Sequence, residues 1–85
     1  MKEFTVEMVN ELGLSEEDTK VLKFLMNNEG KPRLAKEVVR EMQLESTLAL
    51  QMGPVVERIN AAIAKHTKKR IQKTGNALLF GIIKE

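Results

Sequence analysis

The side chains best placed to do chemistry in this chain are cations. Between Arg58 and Lys84 there are seven Lys or Arg residues and neither Asp nor Glu, and five of the seven, Lys65, Lys68, Lys69, Arg70 and Lys73, fall within residues 65–73. An unneutralised run of this kind attracts polyanions, and the phosphates of nucleic acid are the commonest such partner. A solvated face that keeps a small protein soluble is the plainer reading of the same run. Just upstream, Arg58 and Asn60 have side chains that can read base edges, or can simply form a polar exposed face, with Ala61 beside them. Just downstream, Gly75 and Asn76 lie in a turn whose backbone could meet a phosphate, though their first use is turn geometry.

Charge is distributed unevenly along the chain. Residues 1–30 carry three lysines against seven acids, a net −4, while residues 61–85 carry six basic groups against Glu85, a net +5. The resulting dipole points an anionic partner toward the C-terminal end, although the whole chain is only +2.

Catalysis has little to work with. There is no cysteine, the single Asp, Asp18, reads as a helix cap, and the single histidine, His66, sits among lysines rather than beside a carboxylate. No enzyme, cofactor or metal site is expected. Trp and Tyr are absent, so the aromatic platforms that hold single strands are missing, and double-stranded DNA is the better nucleic-acid partner. No apolar run approaches the ~20 residues that span a bilayer, and no basic segment leads into an apolar one as in a secretory signal; the expectation is no membrane partner and a cytoplasmic location.

The elements that must position these groups follow from periodicity. Residues 4–12 place Phe4, Met8, Val9 and Leu12 on one helical face, with a strand over 4–9 as the weaker alternative. Ser15 reads as an N-cap with Asp18 completing a capping-box variant, and Val21, Leu22, Phe24, Leu25 and Met26 supply a core face. Pro32 suits the first turn of another helix with Leu34, Val38, Val39 and Met42 inward. Gly53-Pro54 should interrupt any helix running through residues 44–53, so Pro54 reads as the start of a new helix, 54–65, that buries Val55, Val56, Ile59, Ala62 and Ile63. Two strand-like runs within residues 70–83 flank Thr74-Gly75-Asn76-Ala77 as a hairpin. Leu22, Leu25, Val38, Ile59 and Ile63 should meet in a common core.

The stretches LSEEDTKVLKFL at 14–25, NEGKPRL at 28–34 and IQKTGNALLF at 71–80 resemble the winged-helix effector domains of OmpR-class response regulators. The resemblance implies a mainly α fold with a small β-hairpin, a winged helix-turn-helix over residues 14–85 preceded by an N-terminal amphipathic segment at 1–13. It further implies that 54–65 is the recognition helix, 44–53 a loop that touches polymerase in that class, and 70–80 the wing. The expected function is duplex DNA binding in transcription regulation, with Arg58, Asn60, Ala61, Lys65, Lys68, Lys69, Arg70, Lys73 and Asn76 at the interface. A homodimer through the 4–12 stripe is expected as well. Where that class carries Arg on the outer face of the recognition helix, this chain has Asn60, Ala61 and Ala64; small residues there fit an alternative use of the same helix against a protein partner such as a polymerase or replication subunit.

Overall fold

The computed structural model describes residues 3–82. Ile83 and Lys84, included above in the hairpin and in the basic count, lie outside the described residues. The fold is mainly helical with a small three-stranded antiparallel sheet, a layout compatible with the expected winged-helix arrangement.

The chain opens with a 3-10 helix, Val6–Glu11, rather than the expected α-helix. Val9 is 1% exposed and belongs to the same core as the later helices, with Phe4 and Leu12 packed against it. Of the stripe expected to dimerise, Val9 is turned inward, while Phe4, Met8 and Leu12 remain partly exposed. Helix α1, Glu16–Asn27, follows, and the Ser15 hydroxyl accepts from the Asp18 N–H at 3.2 Å as an N-cap should. Asp18 does not return the bond to the Ser15 backbone as a capping box requires; its carboxylate is used elsewhere.

Pro32 is not in a helix. It precedes a two-residue strand, β1, Arg33–Leu34, and helix α2 spans Ala35–Glu41. The Glu37 carboxylate accepts the Leu34 N–H at 3.0 Å, which secures one of the donors that a helix start leaves open. A second 3-10 helix, Ser46–Gln51, runs straight into helix α3, Met52–Ile63. Gly53-Pro54 does not break this passage, because the first turn of a helix has no intrahelical use for its N–H groups and a proline there loses no bond. Along this passage Leu48 and Met52 are buried and Leu50 is 88% exposed.

Strands β2, Lys69–Thr74, and β3, Ala77–Ile82, pair from Lys69 with Ile82 to Thr74 with Ala77, and β1 joins the other edge of β3. The turn is tighter than expected, with only Gly75 and Asn76 between the strands. Gly75 has a φ of 61° and Asn76 does not share the positive sign, the pattern that a type II′ turn demands and glycine meets without strain. Leu22, Leu25, Val38, Ile59 and Ile63 are all at most 1% exposed and meet as expected, joined from the sheet by Ile71, Leu78 and Phe80. Among the described residues, no helix is long and apolar enough to cross a membrane.

Candidate nucleic-acid interface

Helix α3 buries Val55, Val56, Ile59 and Ile63 and leaves Pro54, Arg58 and Ala61 exposed on the opposite side. Lys65, just past the helix end, continues that stripe at the same i, i+4, i+7, i+11 spacing and is also exposed. No acid lies on the stripe itself, though Glu57 flanks it.

Arg58 is on the outer face, as its spacing predicts, but it is not free. Its Nε donates to Asp18 Oδ2 at 2.9 Å and its Nη2 to Asp18 Oδ1 at 3.1 Å. The two partners differ sharply in environment, with the Asp18 side chain 3% exposed and that of Arg58 56% exposed. This one contact serves as the ion pair of a buried carboxylate and ties the start of α1 to the middle of α3. The Arg58 pKa is pushed above its already high ordinary value, chiefly by the hydrogen bonds to Asp18 and then by the charge of that carboxylate.

Asn60, expected at the interface, is committed within the fold. Its Nδ2 donates to the Ile71 carbonyl at 3.0 Å and its Oδ1 accepts the Ile71 N–H at 2.8 Å, so both polar ends are spent on strand β2. The amide is a brace between α3 and the sheet.

The basic run divides in the same way. Lys69 pairs with Glu29 at 2.8 Å and is therefore not unneutralised as the sequence suggested. The Arg70 Nη1 donates to the carbonyls of Thr67 and Lys69, each at 2.7 Å, which folds the guanidinium back over the linker. Thr67 adds its hydroxyl, accepting the Lys69 N–H at 3.1 Å. Lys65, Lys68 and Lys73 are exposed and have no ionic partner among the described residues. Asn76 is exposed at the hairpin tip, where its carbonyl accepts the Ala35 N–H at 2.8 Å and so fastens the tip to the start of α2. His66 stacks on Phe4, ring centroids 5.8 Å apart, and helps pin the N-terminal segment beside Lys68.

A second cluster went unmarked in the sequence. The Arg33 guanidinium lies 4.8 Å from the centre of the Phe24 ring and donates to Asn28 and Glu41, each at 2.9 Å, with Glu37 3.6 Å away. These bonds join α1, β1 and α2 into one unit; only the Arg33/Glu37 spacing was visible as a local pair. Among the described residues, no group of three or more His, Cys, Asp or Glu side chains is placed to hold a metal. No family model, curated protein or solved structure matches the chain.

Proposed function

We propose that this chain is a winged-helix domain that binds duplex DNA, chiefly by its phosphates. The observation that carries the reading is the common exposure of Lys65, Lys68 and Lys73, without ionic partners among the described residues, past the end of α3, in the linker and on β2. The order of elements supports it: helix, short strand, helix, helix and hairpin, with the first strand beside the last, is the arrangement in which winged helices offer their third helix to a groove and their hairpin to flanking phosphates. The loss of Asn60 and the partial commitment of Arg58 leave few groups able to read bases, so contacts to phosphate dominate the expected affinity. Titration of labelled random duplex at several salt concentrations tests this. Three to four neutralised phosphates correspond to a log-log slope of roughly −3 to −3.5, and absence of binding at low salt overturns the reading.

One observation favours protein contact instead. Ala61 and Ala64 are exposed on the outer side of α3, and Leu50 is 88% exposed at the end of the preceding 3-10 helix. Small and apolar exposed residues of this kind suit a packed interface, whose affinity would change little with salt.

A further inference from the structure

The Arg58 guanidinium has two edges, and Asp18 takes only one of them. The bonds from Nε and Nη2 use the side-on edge, which leaves the end-on pair, Nη1 and the second Nη2 proton, without a partner among the described residues. A guanidinium is planar and carries five donors in fixed directions, so holding one edge fixes the direction of the other. The anchor is a buried carboxylate at the start of α1, on a residue whose backbone N–H donates to the Ser15 cap. The carrier is a half-exposed side chain in the centre of the α3 stripe, with Pro54 and Ala61 on either side and Lys65 beyond. Both neighbours are compact, and the exposed Glu57 flanks the stripe on one side. We infer that Asp18 is a positioning residue that presents the free edge of Arg58 to a two-acceptor group of duplex DNA, either the O6/N7 edge of guanine or the two non-bridging oxygens of a backbone phosphate.

This inference rests on the DNA-binding reading and sharpens it. It also makes a sign prediction that a merely structural ion pair does not. Removing a negative charge close to a DNA-facing surface should, by electrostatics alone, strengthen binding. If Asp18 positions Arg58, removing that charge should weaken binding instead.

The experiment uses the full chain and a duplex enriched from a random-sequence pool by the wild-type protein. Asp18→Asn keeps the size of the side chain but loses the two-oxygen anchor, and Arg58→Lys keeps the charge but cannot offer a two-donor edge; each is expected to weaken binding by about tenfold. Arg58→Lys sits on an exposed face and keeps the test open should Asp18→Asn fold poorly. Replacing guanines with 7-deazaguanine separates the two sources. A loss of about tenfold in the wild type that Arg58→Lys no longer shows identifies the guanine edge. No loss, together with a salt slope shallower by about one in Arg58→Ala, identifies a phosphate. Wild-type affinity in Arg58→Lys, or equal or tighter binding in a folded Asp18→Asn, overturns the inference while DNA binding stands. Absence of any duplex binding by the wild type removes both.

Discussion

Asn60 closes both free backbone groups of Ile71, accepting its N–H at 2.8 Å and donating to its carbonyl at 3.0 Å. In a hairpin closed by a two-residue turn, backbone groups along each strand point alternately toward the partner strand and away from it, and those of Lys69, Ile71 and Lys73 point away from β3. Thr67 and Arg70 meet the Lys69 N–H and carbonyl, so side chains cover most of the outer edge of β2. A bare edge of this length is a template for pairing with another chain. Asn60, expected at a DNA interface, spends both polar ends on guarding this edge.

Asn60→Ala should therefore have two effects. Leaving Ile71 unpaired should cost about 1 to 3 kcal/mol in urea denaturation. The opened edge should also promote self-association, visible in sedimentation at concentrations where the wild type stays unchanged. A variant as stable and as dispersed as the wild type would remove the role assigned to this amide.

Ile59 is 0% exposed and sits among the residues where α3 faces the other helices. Ile59→Ala should cost about 2 to 5 kcal/mol, a large share of the stability of so small a domain. A loss below about 1 kcal/mol in chemical denaturation would mean that the inner face of α3 is wrongly identified.

The helices were legible because each keeps one apolar face over several turns, and the five residues chosen as a common core are those that meet. Other elements leave less trace. Strand β1 is two residues long and cannot express a period, so nothing in the sequence separates it from the helix that follows Pro32. The 3-10 segments carry too few residues to separate their period from that of an α-helix. For the site, exposure was legible and commitment was not. Arg58 faces outward as its spacing required, yet its partner Asp18 lies 40 residues away, and no local pattern announces a pairing at that distance. Asn60 with Ile71 and Lys69 with Glu29 were hidden for the same reason: side-chain partners are chosen by tertiary packing.

Helix α2 ends with Gln43 at a φ of 57°, a left-handed conformation that side chains other than glycine adopt at a cost. The Leu44 N–H reaches the Val39 carbonyl at 2.9 Å and the Gln43 N–H the Arg40 carbonyl at 3.2 Å, the two bonds of a Schellman ending. Gln43→Gly should keep both bonds and relieve the strain, raising stability by about 0.5 to 1 kcal/mol in thermal or urea unfolding. A destabilised variant would show that the Gln43 side chain makes a compensating contact.

Glu37 supplies a pH-dependent contribution. Its pKa is lowered from the ordinary 4.5, first by the bond from the Leu34 N–H; desolvation opposes this, and the charges of Arg33 and Arg40 add to the lowering. A folded pKa below the unfolded one means that the contribution is present above pH 4.5 and is lost as pH falls through the folded value. Glu37→Gln should flatten the decline of the melting temperature on acidification in that window while changing its shape little near neutrality. An identical acid profile in the two proteins would count against the contact at the start of α2.

The proposed DNA contact divides two adjacent lysines that the sequence treats as equals. Lys68 is exposed without an ionic partner among the described residues, whereas Lys69 is held by Glu29 and is only partly exposed. A lysine already paired releases less on meeting a phosphate, because it must exchange one anion for another. Lys68→Ala should therefore make the salt slope of duplex binding shallower by about 0.9, the value for one phosphate, and Lys69→Ala by clearly less. Replacing Lys65, Lys68 and Lys73 together should remove most of the slope. Glu29→Gln supplies the converse, since freeing Lys69 should steepen the slope toward one further phosphate. Equal losses from Lys68→Ala and Lys69→Ala, with no response to Glu29→Gln, would mean that the Lys69–Glu29 pair does not hold Lys69 back from the DNA.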